Sequence, residues 1–250
     1  MDEGKPMVNR NRQPDQAAGM ARLRLVTAVC AIVAYATGCS GYKSAAVLPD
    51  NTHLDRVVFS AVDCETTGLD SKIGRIVEIG VVKFRGSRQI GARSWLVNPG
   101  IPIPPSAVNV HGITTDMVSH SPDFATVFPQ FKEYVGDTVV LAHNARFDLA
   151  FFNGEIKRAG LEGGQNTVVD TLPIFRKWFP RAPRHTLEVL VQYLELESDG
   201  FHRGLTDAES LFEVFKTGVE AQGAKMTLLD LVRAAGGELH FAAKDQSEKP

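Results

Sequence analysis

The sequence predicts one α/β domain built around a mixed five-stranded sheet flanked by helices. Three apolar runs lie between residues 56 and 97 with only short turns between them, the pattern of an antiparallel meander. After residue 137, two further apolar runs alternate with helical patterns, as in strands joined by helices. With 250 residues, 44% hydrophobic and 22% charged, the chain is long enough for one ordinary domain with extensions.

Each strand is predicted from a short apolar run bounded by turn residues. The first run ends in two acids and a Thr-Thr-Gly turn, and the turn RGSR separates the second run from the third. The predicted strands are RVVFSAVDCE (56–65), RIVEIGVVKF (75–84), QIGARSWLV (89–97), TVVLAHN (138–144) and NTVVDTL (166–172).

Helices are predicted where apolar residues recur at three- and four-residue spacing. Asn144 is expected to cap the helix that follows the fourth strand. The last strong helix is expected to begin at Thr206, with Thr206 and Glu209 forming a capping box. The predicted helical stretches are 106–114, 122–135, 145–160, 172–178, 186–194, the segment from 206, and a short helix after 224.

Residues 1–52 are expected to form an N-terminal extension outside the fold. Arg22 and Arg24 precede an apolar stretch at 25–36 that is too short to span a bilayer. Together with the sequence ATGC, the segment 20–39 resembles a bacterial signal with Cys39 as the lipidated residue. The alternatives are a cytoplasmic protein with a tail, or a wrong start. The predicted division is 1–52 extension, 53–223 domain, and 224–250 short helix and polar tail.

The net charge of −2 excludes a global basic field that would attract nucleic acid. A nucleic-acid partner would have to be held by a local patch or by metal ions. The segment RKWFPRAPR (176–184) carries four cations and two aromatic residues and is one such patch. The alternative is a solvated helix end with Trp178 and Phe179 packed inward.

Two acids end the first predicted strand. Asp63 and Glu65 are two residues apart, so their side chains leave the same face, whereas Cys64 points to the opposite face and the core. Two neighbouring carboxylates are costly unless a cation lies between them, and Mg²⁺ and Mn²⁺ prefer carboxylate oxygens. Asp148 and Asp207 each occupy the start of a predicted helix, where an acid also complements the helix dipole.

The order and spacing of these acids resemble a known family. DCETTG (63–68), HNARFD (143–148) and HRGLTDA (202–208) resemble the three motifs of the DEDDh (DnaQ-like) 3′–5′ exonucleases. VHGIT (110–114) and VVDTL (168–172) are similar to the proofreading epsilon subunit of bacterial DNA polymerase III. The resemblance covers about residues 55–222.

The resemblance implies a ribonuclease H-like fold and a two-metal nuclease site. Asp63, Glu65, Asp148 and Asp207 would bind two divalent cations, Mg²⁺ or Mn²⁺, and His202 would be the general base. Asp170 matches a position that is structural in the family. Gly204 stands where the family has Ala, and this loss of a methyl group is expected to loosen the loop. The implied substrate-binding residues are Thr66, Thr67, Gly68, Leu69, His111, Asn144 and Phe147.

The implied substrate is the single-stranded 3′ end of DNA, with release of nucleoside 5′-monophosphates. RNA trimming, an exported nuclease and a binding module without activity are the alternatives. A partnership with the DNA polymerase III core is also implied, but no polymerase- or clamp-binding tail is recognisable after residue 224. No transmembrane helix is predicted.

Overall fold

Five strands form a single mixed sheet in the computed structural model, which describes residues 51–222 and 225–242. The strands are β1 (Val58–Thr66), β2 (Ile76–Arg85), β3 (Arg88–Leu96), β4 (Val139–Ala142) and β5 (Val168–Asp170). Their order is β3-β2-β1-β4-β5, with antiparallel pairing among β1–β3 and parallel pairing of β1 with β4 and β4 with β5. The predicted mixed sheet, three antiparallel strands followed by two parallel ones, is confirmed.

Helices cover both faces of this sheet. Polar side chains cap several of them: Asp123 accepts from the Thr126 backbone N–H, and Thr227 forms a capping box with Asp230. The helices in the described part of the chain are α1 (Pro105–His111), α2 (Thr115–Val118), α3 (Phe124–Val135), α4 (Arg146–Ala159), α5 (Thr171–Trp178), α6 (Leu187–Tyr193), α7 (Gly204–Gln222) and α8 (Leu228–Ala235).

Strand alternation divides the core into two layers. On β1, Phe59 and Ala61 pack into the layer that contains α7, whereas Val62 and Cys64 pack into the layer that contains α3 and α4. Cys64 is therefore buried in the core as predicted. By the same alternation, Asp63 and Glu65 lie on the α7 face of the sheet.

Two helix starts differ from their predictions. Ala145, not Asn144, is the N-cap residue of α4, and Asn144 adopts a left-handed backbone with a φ of 63°. Helix α7 begins at Gly204, two residues before the predicted start, so Thr206 and Glu209 both lie inside it. In both cases, contacts with residues distant in the sequence fix the backbone at the helix start, as described below. A local capping pattern cannot predict such contacts.

Residues 225–242 pack against the rest of the domain. The Leu228 backbone N–H donates to the Thr52 carbonyl oxygen at 2.8 Å, and Val168 pairs with Leu239 through two backbone hydrogen bonds. Leu231 of α8 is fully buried.

The signal-like segment 20–39 and Cys39 lie outside the described residues, so the lipoprotein alternative stays a prediction. Among the residues that are described, no helix combines the length and hydrophobicity needed to cross a membrane.

Candidate functional site

Three carboxylates meet at the carboxyl end of β1. Asp63, Glu65 and Asp207 each place an oxygen within 4.8 Å of the others. Asp63 and Glu65 come from the last residues of β1, where the register with β2 shifts after Glu65. Asp207 comes from the first turn of α7, which packs across this face of the sheet. The structure therefore brings together three of the four acids that were predicted as metal ligands.

The fourth acid, Asp148, lies beside this trio. It extends from the first turn of α4, and its Oδ1 accepts from the backbone N–H and the thiol of Cys64, each at 3.2 Å. Because Cys64 lies between Asp63 and Glu65 in the chain, Asp148 is tied to the strand that carries the other two acids. Its charge also raises the pKa of Asp63.

Burial raises the pKa values of all four acids, and repulsion by other acids of the group adds to this effect at Asp63 and Glu65. Burial is the largest cause at Asp63, followed by the charges of Asp148 and Asp207. Burial also raises the pKa of Glu65 and of Asp148 to about 7, and it raises the pKa of Asp207. Four crowded acids that resist ionisation are a site in which a divalent cation would replace protons.

We expect the thermal stability of the metal-free protein to fall as the pH rises. Glu65 and Asp148 have folded-state pKa values of about 7, above their ordinary values of 4.5 and 3.8. The native state therefore binds protons more tightly than the unfolded state, and the resulting stabilisation is complete below about pH 4 and lost as the pH rises through about 7. Melting temperatures in chelator between about pH 5 and pH 8 measure this loss, since the shift in pKa sets that window.

Two further measurements make this prediction specific. Adding Mn²⁺ or Mg²⁺ should raise the melting temperature most at the alkaline end, where the carboxylates are ionised. The variant Glu65→Gln should show a flatter pH dependence than the unaltered protein. A melting temperature in chelator that rises across this range would contradict the prediction.

His202 lies in an exposed loop immediately before α7. Its backbone is left-handed, with a φ of 64°, and its backbone N–H donates to Asp207 Oδ2 at 2.8 Å. This hydrogen bond fixes the loop to the acid trio and leaves the imidazole exposed. The structure thus joins the backbone of the predicted general base to one of the predicted metal ligands.

A buried ion pair that the sequence analysis missed also holds this loop. Glu78 of β2 is 1% exposed and accepts two hydrogen bonds from the Arg203 guanidinium, at 2.9 and 3.0 Å. It also accepts from the Gly204 backbone N–H at 3.0 Å. The single acid within the apolar run IVEIGVV was the signal that could have identified Glu78, because an acid on a buried strand requires a partner.

The same ion pair balances charge beside the trio. Glu78 lies directly opposite Glu65 in the β1–β2 ladder, and two like charges in that position repel each other. Arg203 neutralises Glu78 and also lowers the pKa of Glu65, opposing the effects of burial and the neighbouring acids.

Gly204 does not loosen the loop, contrary to the expectation from its sequence. It is buried, and a Cβ atom on it would lie 2.9 Å from the Gly80 backbone nitrogen. A Cβ atom on Gly80 would lie 2.0 Å from the Gly204 carbonyl carbon. The two glycines instead let the start of α7 contact the backbone of β2 directly.

The Thr-Thr-Gly turn after β1 is braced by its own hydrogen bonds. The Thr66 hydroxyl donates to the Gly68 carbonyl oxygen at 2.7 Å, and Thr67 exchanges hydrogen bonds with the Arg75 backbone. No atom lies within 4 Å of the position that a Cβ atom would occupy on Gly68, so its surroundings are open. Leu69 follows with 89% of its surface exposed, an unusual position for a leucine in a braced turn.

A second buried acid, Glu155, contacts the segment that follows this turn. Glu155 of α4 is 2% exposed in its side chain and accepts from Arg75 Nε at 2.7 Å and from Arg158 at 3.1 Å. Arg158 also donates to the Gly74 carbonyl oxygen. These contacts connect α4 to Arg75, the residue before β2 whose backbone pairs with Thr67. The sequence analysis did not identify them.

His111 is buried and is held by the backbone on both sides. Its Nδ1 accepts from the Ile113 N–H at 3.0 Å, so the proton lies on Nε2, which donates to the Thr66 carbonyl oxygen at 3.2 Å. Burial lowers the pKa of this imidazole. In this arrangement His111 connects the end of α1 to the end of β1.

Asn144 and Phe147 lie at the neighbouring edge, between β4 and α4. Asp170 Oδ1 accepts from the backbone N–H groups of Asn144 and Leu172, both at 3.0 Å, so this acid caps α5 and ties its start to the turn before α4. The side chain of Asn144 is exposed, and the half-buried Phe147 ring lies 5.0 Å from the Phe151 ring.

The aromatic residues of the segment 176–184 pack inward. Phe179 is 7% exposed, and the Trp178 ring contacts Phe175 and Phe215. The predicted alternative of inward packing is thus correct for the rings, and stacking on nucleic-acid bases is excluded for Phe179. The cations of the segment remain on the surface.

Comparisons with known proteins identify a family whose model spans the residues of this site. A family model described as an exonuclease (RNase_T) matches residues 60–215, which include all the predicted site residues. The DNA polymerase III PolC-type proteins of Bacillus cereus and Bacillus subtilis are 37% and 34% identical over 148 and 158 residues, or 59% and 63% of this chain. The matched regions are 10% and 11% of those proteins, so the chain spans about a tenth of their length.

Solved structures share the same fold. Exonuclease X in complex with 5′ overhanging duplex DNA is 27% identical, with a TM-score of 0.59, and the match covers 71% of this chain and 99% of that one. E. coli exonuclease I with a dA16 oligonucleotide is 20% identical, with a TM-score of 0.58, covering 64% of this chain and 40% of that one. The ribonuclease H-like fold implied by the sequence motifs is confirmed.

Proposed function

Because this chain belongs to the exonuclease family, we propose that it is a metal-dependent 3′–5′ exonuclease of the DEDDh type. It hydrolyses phosphodiester bonds at the 3′ end of DNA and releases nucleoside 5′-monophosphates. The observation that carries this proposal is the carboxylate trio of Asp63, Glu65 and Asp207, which lies beside Asp148 and under the loop of His202.

The residues present fit a divalent metal centre. Three carboxylates share a space small enough for one cation to contact them all. Burial raises the pKa values of all three, so the chain itself compensates their charges only in part. Two cations, Mg²⁺ or Mn²⁺, would be held by Asp63, Glu65, Asp148 and Asp207. When bound, they would acidify the attacking water and neutralise the charge on the leaving 3′ oxygen.

His202 acts as the general base in this mechanism. Imidazole is the side chain best suited to accept a proton near neutral pH, and the exposed ring can approach a water at the trio. The hydrogen bond from its backbone to Asp207 and the contacts of Glu78 with Arg203 and Gly204 keep the ring near the acids. A loop position allows the base to close over bound substrate.

The braced turn after β1 positions the terminal nucleotide. The backbone at Thr66, Thr67 and Gly68 can approach the nucleotide because the space above Gly68 is open. Leu69, whose exposure is otherwise unexplained, inserts as a wedge beside the terminal base. His111 orients Thr66 from behind, and Asn144 and Phe147 line the opposite side of the cleft.

Similarity to the PolC-type polymerases supports a role in proofreading or repair of DNA, in the cytoplasm and with a polymerase as partner. The DNA in the complex of exonuclease X supports DNA as the substrate over RNA.

Degradation of a 5′-labelled single-stranded DNA by the full chain tests the function. We expect a ladder that shortens from the 3′ end in Mg²⁺ or Mn²⁺ and is absent in chelator. An RNA of matching sequence should be degraded more slowly. A faster rate on RNA would favour the trimming function, and no ladder on either substrate from folded, metal-loaded protein would refute the exonuclease proposal.

A further inference from the structure

We propose that Arg176, Arg181 and Arg184, here named the basic arc, bind the phosphates of the substrate strand upstream of its 3′ end. This inference rests on the proposed function and adds a surface that lies outside the carboxylate site and the Thr-Thr-Gly turn. Three observations carry it: the position of the arc, the free charge of its arginines, and the inward packing of its rings.

The arc lies beside the cleft edge formed by His143 and Asn144. Helix α5 starts at this edge, because Asp170 accepts from the Asn144 N–H and the Thr171 hydroxyl contacts His143 Nδ1 at 3.1 Å. Arg176 is five residues along this helix, a rise of about 8 Å. The His143 ring stacks on the Phe175 ring with the ring centroids 5.4 Å apart, and Phe175 directly precedes Arg176.

The loop after α5 returns the chain to the same edge. His143 Nε2 donates to the His185 carbonyl oxygen at 2.6 Å, and the His185 ring contacts the Phe179 carbonyl oxygen. Arg184, adjacent to His185, is thus placed next to the Asn144 turn, and Arg181 lies between the two ends of the loop. A strand that leaves the cleft past Asn144 meets the arc next.

The three arginines of the basic arc are free to bind an anion. All three arginines are exposed, and the ion pairs among the described residues involve none of them. Lys177 in the same segment differs, since its Nζ donates to the Ala234 carbonyl oxygen at 2.9 Å. Three unpaired guanidinium groups within nine residues, on a chain of net charge −2, form a local attraction for phosphate.

The chemistry of the arc fits phosphates better than bases. Phe179 is buried and offers no stacking platform, and the half-buried Trp178 ring packs against α7 at Gly218. Guanidinium groups that contact phosphates recognise charge and carry no sequence information. The arc therefore holds the strand without base preference, which suits an enzyme that must remove any 3′ nucleotide.

A matched pair of triple variants tests the arc. The arc variant is Arg176→Gln, Arg181→Gln and Arg184→Gln. The control is Arg56→Gln, Arg85→Gln and Arg88→Gln, which removes three exposed arginines at the opposite end of β1 and β2. Both variants change the net charge equally. The readouts are the Kd of a labelled oligodeoxynucleotide of about 20 nucleotides at several salt concentrations, and turnover of that substrate and of a trinucleotide, since salt dependence counts phosphate contacts.

We expect the arc variant to weaken binding of the long strand at least about tenfold, and to lower the slope of log Kd against log salt by about 2, because each single-strand phosphate contact contributes about 0.7. Turnover of the trinucleotide should stay unchanged, as should every property of the control variant.

Other results would overturn the proposal. An equal loss in the control variant would show a general charge effect, and an unchanged slope in the arc variant would leave the arc as a solvated face or a surface for another partner. If the unaltered protein degrades neither substrate, the proposed function fails, while the binding comparison still decides whether the arc holds nucleic acid.

Discussion

Asp63→Asn is expected to reduce exonuclease turnover by about a thousandfold or more, because metal ligation supplies several kcal/mol of transition-state stabilisation and each 1.36 kcal/mol is a factor of ten. After burial, the charges of Asp148, Asp207 and Glu65 are the main causes that raise the pKa of Asp63. The amide preserves the shape of the side chain but removes the charge that a divalent cation requires.

The same substitution should stabilise the metal-free protein at alkaline pH. Burial and three neighbouring acids make an ionised Asp63 unfavourable, so removing its charge relieves the folded state. Activity and stability are thus expected to change in opposite directions, as they do where a site is built from unfavourable charges. A loss of activity through unfolding would change both in the same direction.

Asp137→Asn is the matched control. Asp137 is exposed and lies two residues before β4, at the end of the sheet opposite the acids. Single-turnover rates and melting temperatures of the two variants, with Mn²⁺ and in chelator, complete the experiment. Activity of Asp63→Asn within tenfold of the unaltered protein would remove Asp63 from the catalytic site.

Gly80→Ala is expected to have the second large effect, on both stability and activity. Its new Cβ atom would lie 2.0 Å from the Gly204 carbonyl carbon and 2.2 Å from the Leu205 backbone nitrogen. These are backbone atoms at the start of α7, so the helix itself must move. Such overpacking costs about 1–3 kcal/mol or more.

The displacement of α7 would carry Asp207 and His202 away from Asp63. We therefore expect turnover to fall at least about a hundredfold even at temperatures at which the variant is folded, since a misplacement of about 1 Å can cost that much. Melting temperature and turnover at a low temperature separate the two effects.

Gly91→Ala is a control on the neighbouring strand β3. There the new Cβ atom would lie 2.6 Å from the Tyr134 hydroxyl, the far end of a side chain that can move aside. This variant should keep its activity and lose little stability. Equal losses in both variants would mean that the sheet, and not the contact with α7, is sensitive to an added methyl group.

Much of the fold was predictable because its signals are local. The alternation in β1 places Asp63 and Glu65 on one face and Cys64 on the other, whatever packs against them. The apolar runs define the strands, and the recurring motifs place Asp148, His202 and Asp207 on elements next to β1. For this reason the sheet was predicted from local patterns, whereas the four acids were predicted as a set from the family motifs.

The errors concern positions where distant segments determine the local conformation. Asn144 has the residue type of a helix cap, but Asp170 binds its backbone N–H and Ala145 takes the capping position. Gly204 has the residue type of a loose loop, but it packs against Gly80, which is 124 residues earlier in the chain. Local patterns record the preferences of a segment and not the neighbour that overrides them.

The sequence by itself determined which acids share a face of the sheet, and which motifs they belong to. Only the tertiary structure decided how His202 is held, because Glu78 and Arg203 are far apart in the chain and each looks like an ordinary charged residue. It also decided that the rings of segment 176–184 face inward while three of its arginines stay free. The physical reason is the same in both cases: burial and pairing depend on packing between elements, which has no periodicity within one element.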